Sequence, residues 1–197
     1  MLILKMRKRI FFLSALLSLI PFGQTFIIKT GLGFATAGLI ISVAESTHAG
    51  LKNDYYFNRA YDNAEKGMHL EAIADYTKAI KIDPKDADAF YNRGISKNSI
   101  KDYYGAIEDY TKLIQINPKY SDAYFNRANT KDDIKDYYGA VADYTKVIEI
   151  NPKDAEAFAN RGITKESIGD MDGACSDWAK AARLGDTNSV EWVRLDC

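Results

Sequence analysis

The sequence predicts an all-α protein: four helical hairpins stacked one on the next and closed by a short C-terminal capping helix. Three observations carry that expectation. First, "KDYYGAIEDYTKLIQINPK" at 101–119 and "KDYYGAVADYTKVIEINPK" at 135–153 stand 34 residues apart and share 15 of 19 residues. Repetition at a fixed spacing marks a unit that cannot bury its own apolar face and stacks on copies of itself. Second, units counted from Asn53 (53–86, 87–120, 121–154 and 155–188) keep one chemistry at each position. The fourth is aromatic (Tyr56, Phe90, Tyr124, Phe158), the eighth small (Ala60, Gly94, Ala128, Gly162), the twentieth Ala (Ala72, Ala106, Ala140, Ala174) and the twenty-fourth aromatic (Tyr76, Tyr110, Tyr144, Trp178). Third, Pro84, Pro118 and Pro152 close three of the units, where proline stops a second helix.

The elements follow in chain order. Residues 1–50 read as a signal sequence or membrane anchor: Lys5, Arg7, Lys8 and Arg9 precede the apolar run "IFFLSALLSLIPFGQTFII" at 10–28, long enough to cross most of a bilayer. Small-x-small cleavage patterns at 35–37, 42–44 and 47–49 lie late for a signal peptide. A second apolar run at 31–44 either extends an uncleaved anchor or returns as a hairpin. The basic residues stay in the cytoplasm, so cleavage or a single crossing puts the repeats outside it. In each unit two antiparallel helices approach closely where the small residues of the eighth and twentieth positions face each other, and the aromatics fill the space on either side. A turn falls near the fifteenth position, where Gly67 and Gly169 stand in the first and last units. Residues 189–197 form the cap, with Val190, Trp192, Val193 and Leu195 covering the last open apolar face.

Charge and motif content exclude several function classes. Residues 1–50 carry a net +4; since the whole chain carries −1, residues 51–197 carry −5, which offers nothing to a nucleic-acid backbone. The only histidines, His48 and His69, have no cysteine or second histidine at ligand spacing, and there is neither a phosphate-binding glycine loop nor a nucleophile elbow. Acid pairs such as Asp132 and Asp133 read as a solvated helix face. The expectation is a non-enzyme without metal or cofactor.

The openings "FYNRG", "YFNRA" and "FANRG" and the closings "AIADYTKAIKIDP", "AIEDYTKLIQINP" and "AVADYTKVIEINP" resemble the tetratricopeptide repeat family, over residues 53–188. The resemblance implies a right-handed superhelical solenoid with a concave inner surface, acting as a scaffold for protein partners. It also implies that the second, fifth, sixth, ninth, twelfth and thirteenth positions tend to face the groove. Those positions nominate an amide column, Asn58, Asn92, Asn126 and Asn160, joined by Asn129, with Phe57, Tyr91 and Phe125 as exposed apolar surface. An amide offers two donors and an acceptor, which suits the backbone of an extended peptide. The alternative is that the asparagines bridge adjacent units and that Asp54, Asp88, Asp122 and Glu156 merely favour their helix dipoles. Some members grip a terminal carboxylate with Lys and Arg at the second, fifth and sixth positions; here acids, aromatics and amides stand there, so a neutral or basic partner fits better. A structural module whose stacked units self-associate end to end is the competing function.

Two departures from the family pattern call for physical readings. The seventh position holds Arg59, Arg93, Arg127 and Arg161, and sixteen residues later come Asp75, Asp109, Asp143 and Asp177. Both positions are equidistant from the turn, so they lie at one height and read as a salt-bridge ladder rather than an arginine track for an anionic ligand. The family's tyrosine in the first helix is replaced by Asn63, Lys97, Lys131 and Lys165, expected to reach toward solvent. Cys175 and Cys197, both at the open end of the stack, read either as a staple holding the cap, which needs an oxidising compartment, or as free thiols. The closing "GAC-x-DW-x-KA" followed by a terminal Cys also resembles small exported members of the family.

Overall fold

The computed structural model describes the backbone from residue 35 and the side chains from residue 47 to the C-terminus; the basic cluster and the first apolar run lie outside the described residues. Nine helices form this part: α1 (Ala35–Glu65), α2 (His69–Ile82), α3 (Ala87–Ser99), α4 (Tyr103–Ile116), α5 (Ser121–Asp133), α6 (Tyr137–Ile150), α7 (Ala155–Ser167), α8 (Met171–Arg183) and α9 (Thr187–Asp196). Each packs on its neighbours in sequence, which gives an all-α repeat solenoid. Helix α1 runs unbroken from Ala35 through residue 50 into the first unit. No helix among the described residues is long and apolar enough to cross a membrane.

Local chemistry fixes the hairpin ends. The fifteenth position has positive φ in every unit: 75° at Gly67, 63° at Lys101, 65° at Lys135 and 82° at Gly169. The amide after Lys101, that of Asp102, donates to the Lys97 carbonyl at 2.9 Å, and Lys101 N donates to Asn98 O at 2.9 Å, the two bonds of a Schellman ending. The sequence places this turn near the fifteenth position of every unit, with glycine marking it in the first and last; in the middle units lysine takes the left-handed conformation. Next, Asp102, Asp136 and Asp170 cap α4, α6 and α8 by accepting from the amides of Gly105, Gly139 and Gly173. Those glycines leave room for the capping carboxylate, into which a β-carbon would run. Helices α2, α4 and α6 stop one residue short of Asp83-Pro84, Asn117-Pro118 and Asn151-Pro152.

Ala60, Ala72, Ala106, Ala128, Ala140 and Ala174 are fully buried where paired helices touch. At Gly94 a β-carbon would lie 2.6 Å from Tyr110 Cε1, and at Gly162 it would run into Trp178. The small eighth position therefore seats the large twenty-fourth. At the far end Trp192 packs at a tilt against Trp178 with ring centroids 5.5 Å apart, and Ser189 is fully buried. The expected cap is corrected in part: Val190 and Leu195 point outward, 56% and 64% exposed, because a single helix turns only one face to α8. Cys175 and Cys197 form a disulfide across 21 intervening residues, tying the end of α9 to α8.

Candidate functional site

Two polar systems occupy opposite sides of the first helices. One is the ladder. Arg93 donates from Nε and Nη2 to both oxygens of Asp109 at 2.8 and 2.6 Å; Arg127 and Asp143, and Arg161 and Asp177, repeat this fork at 2.7–2.8 Å. In the first unit Arg59 and Asp75 meet at 2.6 Å, with the arginine 42% exposed. Hydrogen bonding from Arg59 holds the Asp75 carboxyl below the usual carboxylate range against the opposing effect of burial.

The lysines correct the expectation of solvent exposure. Lys97, Lys131 and Lys165 turn inward to the same acids, Asp109, Asp143 and Asp177, at 2.9, 2.7 and 2.8 Å. Each also donates to a carbonyl of the second helix, that of Gly105, Gly139 or Gly173. Every acid from the second unit onward thus binds two cations. Sequence reasoning missed a third contact: Nη1 of Arg93, Arg127 and Arg161 donates to Thr77, Thr111 and Thr145 of the preceding unit at 3.0, 2.8 and 3.0 Å. The ladder therefore joins units as well as the helices within them.

The other system faces the groove, and it differs from the nominated peptide site. Phe57 and Tyr91 are core residues, 1% and 6% exposed: Phe57 packs edge-on against Tyr76, and Tyr91 lies between Tyr110 and Tyr120. Phe125 is half-buried against Tyr144. The fifth position points at the twenty-fourth of its own unit, so it supplies packing instead of an open apolar surface. Asn92 and Asn126 are buried as well, and Asn126 Nδ2 donates to the Tyr91 hydroxyl at 2.9 Å across the unit boundary. That bridge, one of the two readings of the amide column, removes Asn126 from contact with an extended peptide. The side-chain carbonyl oxygens of Asn58 and Asn92 are buried without a hydrogen-bond partner.

Asn129 and Asn160 do border open space. With Asp132 and Asp133 on α5 and Ile163 and Thr164 on α7, they line a recess of about 230 Å³ floored by Tyr144. The Tyr144 hydroxyl donates to Asn129, and Thr164 donates to Asp132 at 2.9 Å across the unit boundary. Burial, then Asp132, push the Tyr144 pKa well above the ordinary phenol value, while a hydrogen bond with Asn160 opposes them. Burial and the neighbouring Asp132 raise Asp133 above the usual carboxylate range. A second recess, about 480 Å³, lies between α7 and α9, where Glu156, Asn160, Asp186 and Asn188 meet Ala159 and Trp192. The signal for Asp132 and Asp133 was present in the sequence, since they stand at the twelfth and thirteenth positions; what hid them was their likeness to any solvated acid pair. Among the described residues no group of three or more His, Cys, Asp or Glu is placed to hold a metal ion.

Family models for "TPR repeat" match residues 62–97, and models for "Tetratricopeptide repeat" match 87–120 and 121–154. No curated protein sequence matches the chain. Among solved structures, a crystal structure of MamA is 23% identical, with a TM-score of 0.67 over 78% of this chain and 91% of its own. MamA 41-end from Desulfovibrio magneticus RS-1 is 20% identical, with a TM-score of 0.68 over 72% of this chain and 81% of its own. The first TPR of Spaghetti (RPAP3), bound to HSP90 peptide SRMEEVD, is 24% identical, with a TM-score of 0.58 over 60% of this chain and 94% of its own. At such identities the likeness speaks to fold alone. The family models coincide with the second and third hairpins and overlap the first, in the register set by the buried alanines and the ladder, and the chain belongs to the tetratricopeptide repeat family.

Proposed function

We propose that this chain is a non-enzymatic interaction scaffold that holds an extended segment of a partner protein in the groove of its first helices. The observation that carries the reading is the recess between α5 and α7, where amide, carboxylate and hydroxyl groups stand over a buried tyrosine beside the apolar wall of Ile163. A repeat domain of similar fold is bound to the peptide SRMEEVD. This chain holds that peptide's chemistry away: Asp122, Phe125 and Asn126, or Glu156, Ala159 and Asn160, stand where a carboxylate grip needs cations. We further propose export, cleaved or tethered through residues 1–50, supported by the basic-then-apolar front and by a disulfide that persists in an oxidising compartment.

End-to-end assembly has less support. The hydroxyl that receives each arginine from the following unit is replaced by Ala179 in the fourth, and α9 lies over that end. The test is affinity capture from the protein's own compartment, read by mass spectrometry, with the wild type against Ile163→Ser combined with Asp133→Ala. Both substituted side chains border open space, so thermal unfolding should hardly move. Loss of specific captured proteins is expected; an unchanged set would refute the groove reading.

A further inference from the structure

Cations are plentiful on the first helices, yet none lines either recess beside α7. Arg127 and Lys131 are drawn to Asp143, and Arg161 and Lys165 to Asp177, all on the ladder side. The two recesses that flank α7 are consequently lined by acids without a base: Asp132 and Asp133 in one, Glu156 and Asp186 in the other. Asp132 spends one oxygen on Thr164 and Asp186 one on the Ser189 amide. Each recess also has an apolar wall, Ile163 in the first and Trp192 in the second, and both touch Asn160. A carboxylate pair, an aliphatic or aromatic wall and an amide between them match a long basic side chain: the methylenes lie on the wall and the charged head meets the acids. Trp192 further suits a guanidinium, which stacks on an indole face.

We infer that the groove of the last two units takes two basic side chains from one extended partner segment, one in each recess. The inference rests on the groove reading above and adds the partner's chemistry and spacing. The recesses open into successive furrows, α5–α7 and α7–α9, and share Asn160 between them. Helices packed side by side stand about 8–10 Å apart, so neighbouring furrows are separated by about that distance. A segment in the extended polyproline II form returns to the same face every third residue and advances about 3.1 Å per residue, so two basic side chains three residues apart stand about 9 Å apart on one side and can enter both recesses. Asp133, raised by burial beside Asp132, is the acid that an arriving cation relieves most directly.

The test measures fluorescence anisotropy of full-length protein in neutral detergent with capped, fluorescein-labelled octapeptides in an alanine–serine background. One peptide carries two arginines three residues apart, one carries them adjacent, one carries two glutamates, and one is neutral. The spaced-arginine peptide should bind about tenfold or more tighter than the glutamate peptide and weaken as salt rises. Asp133→Asn combined with Glu156→Gln should remove about tenfold of that affinity without shifting the melting temperature. Equal binding of all charges, or arginine binding untouched by the double variant, overturns the inference. Adjacent arginines binding as well as spaced ones overturn the two-recess arrangement. If the neutral peptide binds in a manner sensitive to Ile163→Ser and arginine adds nothing, the groove reading survives and this one fails. If no peptide binds, both fail.

Discussion

Removing one carboxylate from the middle of the ladder should be among the most damaging single changes available. Asp143 is almost wholly buried and receives Arg127 Nε at 2.8 Å, Arg127 Nη2 at 2.7 Å and Lys131 Nζ at 2.7 Å. Both cations are themselves largely buried, with side chains 15% and 18% exposed. Asp143→Leu therefore strands two desolvated charges and forfeits three charge-assisted hydrogen bonds. Breaking a buried pair from one side costs about 3–5 kcal/mol, and two stranded cations place this case at the upper end, about 5 kcal/mol. The same change at Asp75 is a built-in control. Its partners Arg59 and Lys78 are 42% and 50% exposed, so both can rehydrate, and a loss of about 1–2 kcal/mol is expected. A charge swap of Arg127 and Asp143 is a poor rescue, because the new arginine would face Lys131. The informative rescue is Asp143→Leu with Arg127→Met and Lys131→Met, which removes every charge at once and should recover most of the stability. Urea unfolding followed by circular dichroism measures all three, with coincident fluorescence transitions as the check on two-state behaviour. A cost below about 1 kcal/mol at Asp143, or a triple variant whose losses simply add, would refute the account of the ladder as a coupled, buried unit.

Three further outcomes are expected. Lys101→Gly and Lys135→Gly should each stabilise by about 0.5–1 kcal/mol, since both residues hold φ near +64° and the relief of left-handed strain outweighs glycine's unfolded-state entropy; chemical denaturation that shows a loss would contradict this. The lowered pKa of Asp75 means its contribution is fully present above the unfolded carboxylate pKa and disappears as pH falls through the lower folded value. The stability gap between wild type and Asp75→Asn should accordingly close in acid, and a gap independent of pH would be inconsistent with the pair. Reducing the Cys175–Cys197 bond, which closes a loop with a sequence separation of 22, should cost about 3 kcal/mol and raise hydrogen exchange first in α9; intact mass after alkylation without reductant should show no added groups.

Which parts of this were legible in the sequence follows from the period. The packing of small eighth and twentieth positions against large twenty-fourth ones could be read directly, because a 34-residue repeat shows the same constraint solved four times. The Arg–Asp pairs could be read because both positions are equidistant from the turn. The lysines carried a signal that went unused: Lys97, Lys131 and Lys165 stand four residues after an arginine, hence on the same helix face and within reach of the same acid. Tyr91 and Asn126 were harder. Which way a fifth- or sixth-position side chain leans depends on the rotation between successive hairpins, a quantity that no single unit encodes. The cap was half legible for a similar reason: Trp192 has a partner in Trp178, whereas Val190 and Leu195 fall on the face that α8 does not reach.

The arginine-to-threonine contact gives the stack a direction of growth. Each interior unit presents a hydroxyl forward and an arginine backward, so copying the second or third unit into the middle of the array creates a junction whose arginine–hydroxyl contact is already matched. The fourth unit cannot be copied that way. It has Ala179 in place of the hydroxyl and a tryptophan covered by Trp192, and its Cys175 is already bonded to the chain end. A lineage carrying this architecture can lengthen its groove only by insertion ahead of the last hairpin, and the end of the groove then travels outward intact, with the Trp192 recess still attached.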